Sequence, residues 1–127
     1  MTKFDISYDP PALIAKIALR TIESGERSQD VEMLVDTGSD ITLLPRARLD
    51  ELGIKPSGKE YELVGFDGHI IKSEIYYLQV ILLGKRFTGN YCAVNGSAGI
   101  LGRDILNQIT ILLDGPNLEW DEIQSST

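Results

Sequence analysis

Sulfur and imidazole are almost absent from this chain. Cys92 is its one cysteine and His69 its one histidine. No intrachain disulfide can form, and cysteine- or histidine-rich metal sites are excluded, so no metal site is expected. Basic residues are scarce as well: 12 Lys and Arg stand against 19 Asp and Glu, a net charge of -7. That balance argues against a phosphate-binding surface, and no nucleic-acid partner is expected. No apolar run approaches the roughly 20 residues that cross a bilayer, which speaks against a membrane partner. Met1-Thr2-Lys3-Phe4-Asp5 also lacks the basic-then-apolar pattern of a leader. The expectation is a soluble, cytoplasmic protein, and a lone cysteine suits a reducing compartment.

What is present is enough for one domain. At 127 residues with 43% hydrophobic content, the chain can bury a single core of moderate size. Neither an internal repeat nor a low-complexity run divides it. After Pro10-Pro11, the segment from Ala12 to Arg20 is β-compatible, and Glu23 to Ser28 supplies a polar turn. Val31 to Val35 returns as a second strand that ends at Asp36. Ile41 to Leu44 is a further apolar run. Pro45 is placed to open a short helix at its first position, and Gly53 to close it. Tyr61 to Val64 and Ile70 to Leu83 flank Gly65-Phe66-Asp67-Gly68-His69, whose glycines mark a hairpin tip. Gly84-Lys85-Arg86 turns into Phe87 to Val94. Arg103 to Gln108 reads as a second short helix, and Ile109 to Leu113 as the last strand, stopped by Asp114-Gly115-Pro116. Many short strands with one or two small helices predict an all-β, barrel-like fold.

Chemistry concentrates at two places. Met33-Leu34-Val35 delivers Asp36 from an apolar strand into Thr37-Gly38-Ser39. A carboxylate is costly to place at the end of a hydrophobic strand, so this one has a purpose beyond packing. Some sixty residues later comes Ile100-Leu101-Gly102-Arg103-Asp104. Glycine at Gly38 and Gly102 lets two backbones approach closely and leaves N–H groups to hydrogen-bond a carboxylate.

These two units, with the hairpin between them and the closing strand after them, resemble the retropepsin branch of the aspartic proteases. The resemblance runs from about Ala12 to Leu118 and follows the family's order of elements. It implies a single-domain acid-protease barrel, active as a homodimer on a peptide or protein substrate, with no cofactor. Asp36 takes the catalytic position, and Thr37, Gly38 and Ser39 form the active-site loop. Asp40 and Arg103 correspond to a brace, expected to be a buried, two-point grip of guanidinium on carboxylate. Gly65, Phe66, Asp67, Gly68 and His69 form the substrate-covering flap, and Ile100, Leu101 and Gly102 cross the active-site strand. Only one Asp-Thr-Gly occurs. Aspartic chemistry needs two carboxylates, so the second must come from an identical subunit across a two-fold axis.

Other residues have plainer expectations. His69 is expected to be exposed in its loop, and Cys92 to be a small buried hydrophobe. Residues 1–11 read as a lead-in, 12–118 as the protease-like domain and 119–127 as an acidic tail. That last segment holds Glu119, Asp121 and Glu122 and no base, which predicts a solvated terminus. Trp120 is left either folded onto the domain or at a dimer contact. A non-catalytic module of the same fold, dimerising or holding peptides without cleaving them, stands as the alternative function.

Overall fold

The computed structural model describes residues 1–65 and 67–124. In chain order its strands are β1 (Thr2–Lys3), β2 (Ile14–Arg20), β3 (Val31–Val35), β4 (Leu43–Pro45) and β5 (Glu60–Val64). They continue as β6 (Ile70–Leu82), β7 (Lys85–Val94), β8 (Gly99–Leu101), β9 (Ile111–Asp114) and β10 (Glu119–Glu122). The helices are α1 (Arg46–Glu51) and α2 (Arg103–Leu106). The expected all-β class with two short helices is what the chain adopts.

Seven strands form the main sheet, in the order β2-β3-β8-β4-β7-β6-β5. The end of β2 turns back onto β6, pairing Ala18 with Ile81 and Arg20 with Gln79, which closes the sheet into a barrel. Its interior is filled by Leu19, Met33, Leu44, Leu78 and Leu101, with Leu49 and Ile105 brought in from the helices. Burial of these apolar side chains supplies the main driving force for the fold.

The order is set by one crossover. β8 runs parallel to β3, with Leu34 opposite Ile100 and Val35 opposite Leu101, and antiparallel to β4 through Leu43 and Ile100. The strand carrying Asp36 at its end is therefore held between β2 and β8. Its neighbours are buried on both sides, so the loop that follows has a rigid base.

The start of the first helix shifts from expectation. Pro45 closes β4 in an extended conformation (φ -61°, ψ 122°) and caps α1 from outside, one position before the first helical turn. Gly53 ends that helix as expected, with φ +69°.

The terminus departs further. Residues 119–122 are not a solvated tail: β10 lies at the centre of a second sheet, ordered β1-β10-β9. Thr2 pairs with Trp120, and Trp120 with Leu113. Trp120 is buried, and its indole N–H donates to the Ile14 carbonyl at 3.2 Å. An aromatic anchor with its N–H satisfied outweighs three acids on the same strand, which are half-buried there, Glu122 in an ion pair with Lys85 at 2.6 Å. Ile109 to Leu113 is accordingly not the last strand, and Asp114-Gly115-Pro116 opens a hairpin turn closed by the Leu118 N–H to Gly115 carbonyl bond at 3.0 Å.

Candidate active site

Asp36 follows directly on β3 and is half-buried. Its backbone N–H donates to the Leu101 carbonyl at 3.0 Å, while the preceding Val35 N–H donates to Leu13 at 3.1 Å. The main chain on both sides of the crossover thus fixes where the side chain starts. Its Oδ1 accepts the Gly38 N–H at 2.8 Å, and the Ser39 N–H closes the turn on the Asp36 carbonyl at 3.2 Å. Thr37 and Gly38 are exposed at the turn.

Ile100, Leu101 and Gly102 cross beneath this loop. Gly102 sits so near the Ile41 carbonyl that a Cβ there would lie 2.6 Å from its oxygen. Only glycine permits that approach. The next residue continues the contact, since the Arg103 N–H donates to the Ser39 carbonyl at 2.9 Å.

Arg103 and Asp40 do meet, but not as a buried two-point grip. Nη2 lies 2.5 Å from Asp40 Oδ1, while Nη1 donates to the Thr37 carbonyl at 2.7 Å. The side chains are 42% and 75% exposed. The guanidinium spans the loop by holding a carboxylate with one nitrogen and a main-chain oxygen with the other. Solvent reaches both partners and weakens the ionic part.

The more deeply placed brace was missed by sequence reasoning. Thr42 is fully buried, its Oγ1 donates to Asp104 Oδ1 at 2.6 Å, and its N–H donates to Asp104 Oδ2 at 3.0 Å. The same hydroxyl accepts the Gly102 N–H at 3.0 Å. One side chain therefore joins β4, the crossover and the start of α2. A threonine between Ile41 and Leu43, in a run that is otherwise apolar, was the available signal.

The hairpin β5–β6 is registered from Glu60 opposite Glu74 to Val64 opposite Ile70. Its tip is closed by the Gly65 N–H to His69 carbonyl bond at 2.9 Å and the Gly68 N–H to Gly65 carbonyl bond at 3.0 Å. Gly68 supplies the left-handed residue, at φ +81°. Asp67 accepts the His69 N–H at 3.0 Å and lies 2.8 Å from its ring Nδ1. Those bonds, the backbone one first, hold the Asp67 carboxyl below the ordinary aspartate range. His69 is exposed as expected, though engaged by Asp67; Phe66 lies outside the described residues.

The floor loop and the hairpin face one groove, of about 410 Å³. Asp36, Gly38, Ser39 and Asp40 line one side with Ile41 and Leu43; Tyr61 to Gly65 line the other. Asp67, Gly68 and His69 are not among the lining residues, nor are Thr37, Arg103 and the crossover residues, which support the floor from behind or beside it. Cys92 is buried on β7. Burial pushes its thiol up, a side-chain bond from Ser73 opposes that, and the charge of Asp104 adds to the rise. Among the described residues no cluster of three or more His, Cys, Asp or Glu side chains is arranged to hold a metal. No helix of the described chain is long and apolar enough to cross a membrane.

Comparison with known proteins follows the same lines. A family model described as aspartyl protease matches residues 21–105. Among solved structures, the EIAV protease complexed with the inhibitor HBY-793 superposes with a TM-score of 0.56 at 21% identity, covering 76% of this chain and 86% of that one. At that identity the likeness is one of fold. No curated protein matches the chain.

Proposed function

Because this chain belongs to the aspartyl protease family, with a retroviral-protease fold, we propose that it is a homodimeric aspartic endopeptidase in which Asp36 of each subunit supplies one catalytic carboxylate. The observation that carries this reading is the groove in which Asp36 faces the β5–β6 hairpin. A peptide held extended between floor and hairpin would present its scissile bond to the carboxylate.

Asp36 is positioned by main chain alone: only its Oδ1 is engaged among the described residues, by the Gly38 N–H. That leaves the other oxygen for a water or a second carboxylate. Two such groups a few Å apart repel one another when both are charged, so the reaction starts with one proton shared between them. The ionised carboxylate takes a proton from water as the oxygen attacks the scissile carbonyl carbon. The protonated one donates to the carbonyl oxygen, giving a tetrahedral diol. Collapse of the diol breaks the C–N bond: one diol hydroxyl returns its proton to the ionised carboxylate as the carbonyl re-forms, and the protonated carboxylate gives its proton to the departing nitrogen, which leaves the pair with one proton again. In this reading the hydroxyl of Thr37, which is exposed beside Asp36, hydrogen-bonds across the two-fold axis and holds the carboxylates coplanar.

Cleavage of a random peptide library from pH 3 to 8, by wild type and by Asp36→Asn, tests the reading. Cleavage by wild type and none by the folded variant supports it. Cleavage that survives in Asp36→Asn moves the chemistry elsewhere, and a wild type that binds peptides without cutting them is the non-catalytic module.

A further inference from the structure

The β5–β6 hairpin reaches beyond the barrel as a two-stranded arm. β6 pairs with β7 only from Ile75 onward, where Ile75 meets Cys92. Ile70 to Glu74 pair with β5 alone, and β5 ends the sheet. Two main-chain bonds hold the root of the arm: the Ser57 N–H donates to the Ile75 carbonyl at 2.8 Å, and the Ile75 N–H to the Lys59 carbonyl at 3.0 Å. At that root Glu60 stands directly opposite Glu74, with Glu62 and Lys72 next on the same face. Like charges in opposed positions push two strands apart.

Arg46 reaches Glu74 from the body of the domain. It opens α1 directly after Pro45, which pairs with Val94 in the main sheet. Its Nη1 lies 3.5 Å from Glu74 Oε2 and donates to the Tyr76 hydroxyl at 3.2 Å, while its Nε donates to the Asn95 side chain at 3.1 Å. The Tyr76 hydroxyl, on a buried ring, donates in turn to Glu74 Oε2 at 3.3 Å. Among the described residues this is the one ion pair that joins the arm to the rest of the chain. Without the guanidinium, the arm carries three carboxylates against Lys72 on that face.

We propose that Arg46 positions the hairpin over the groove by neutralising Glu74 where it opposes Glu60. This rests on the reading of the groove as a substrate cleft, since Tyr61 to Gly65 of the arm line one side of it. With the arginine charge removed, repulsion at the root loosens the arm, and an extended peptide is gripped less tightly. Arg46 is a positioning residue that acts through Glu74. Its side chain and that of Glu74 are 38% and 53% exposed, so the effect is modest, about threefold to fivefold at low salt. It shrinks as salt is raised.

The test compares wild type, Arg46→Gln, Glu74→Gln and the double variant by amide hydrogen exchange at Ser57 and Ile75. The Asp36 amide, bonded to the Leu101 carbonyl, is the internal reference. Arg46→Gln should speed exchange at the root about threefold to fivefold relative to Asp36. The double variant should return to the wild-type rate, because Glu74→Gln removes the repulsion but restores no bond to Tyr76 or Asn95. An unchanged root in Arg46→Gln, faster exchange that persists in the double variant, or equal acceleration at Asp36 overturns the proposal. If Arg46→Gln alone does not fold, a double variant that folds with wild-type exchange supports it, and one that also fails to fold overturns it. In peptide cleavage, KM should rise about threefold to fivefold in Arg46→Gln, with kcat changed less, and recover in the double variant. An unchanged KM overturns the link to substrate and leaves the protease reading intact. If wild type cleaves no peptide, the protease reading fails; exchange still decides the role of Arg46 at the root, and affinity for a hydroxyethylene-containing peptide takes the place of KM.

Discussion

Thr42 and Asp104 are joined twice, hydroxyl to Oδ1 at 2.6 Å and N–H to Oδ2 at 3.0 Å. They lie 62 positions apart in the chain, and with Gly102 bonded to the same hydroxyl at 3.0 Å they tie the crossover to the strand after the active-site loop. Thr42→Val keeps the shape and removes the hydroxyl, stranding the Gly102 N–H and leaving Asp104 Oδ1 with the Ile105 N–H at 2.9 Å. The expected loss is about 1–3 kcal/mol in denaturant unfolding. Combined with Asp104→Asn, the losses should be less than additive because the two share one interaction. Arg103→Lys, at the exposed Asp40 pair, should cost less than about 1 kcal/mol. Additive losses at Thr42 and Asp104, or a larger loss at Arg103, would reverse the ranking of the two braces.

Removal of the C-terminal strand is expected to be damaging. Trp120 is buried and hydrogen-bonded to Ile14, which itself pairs with Leu34 two residues before Asp36. Trp120→Ala should cost about 3–5 kcal/mol, the usual range for a large buried aromatic. A chain ending at Leu118 should melt well below the full chain. An unchanged melting temperature in both would return this segment to the status of a solvated tail.

The hairpin tip carries a pH dependence of defined sign. Asp67 is held below its ordinary value of 3.8 by the His69 backbone and side-chain bonds. A carboxyl whose folded pKa is depressed stabilises the turn above its unfolded pKa and loses that contribution as pH falls through the folded value. The turn should therefore stay closed from neutral pH down to about 4 and loosen only at more acid pH, as read by NMR chemical shifts of the Gly68 and His69 amides. Asp67→Asn should remove that acid transition. A transition unchanged in Asp67→Asn would assign it to another group.

How much of this was legible in the sequence depends on how local the determinants are. Asp36-Thr37-Gly38 is contiguous, and the hairpin around Gly65 to His69 is announced by its glycines, so both could be read directly. The fold class followed from the spacing of short apolar runs. A threonine in an apolar run signals that Thr42 has a polar partner, but that the partner is Asp104 could not be read, because the bonds exist only once β8 is threaded between β3 and β4. Asp40 and Arg103 meet through a single guanidinium nitrogen and not by the expected buried two-point grip, because the exposure that sets their strength is a property of the assembled surface. β10 was hidden by its own composition: Glu119, Asp121 and Glu122 read as solvated, and the pairing of Thr2 with Trp120 joins opposite ends of the chain.

The central claim is that two Asp36 carboxylates, one from each subunit, make one active site. Wild type and Asp36→Asn are mixed in equal amounts and allowed to exchange subunits, at a total concentration well above dimer dissociation, and cleavage of one peptide is followed at its best pH. Random pairing leaves about one quarter of the dimers with both carboxylates, so activity should fall to about one quarter of that of wild type at the same total concentration. A fall only to one half, the value for subunits that act alone, would contradict the account.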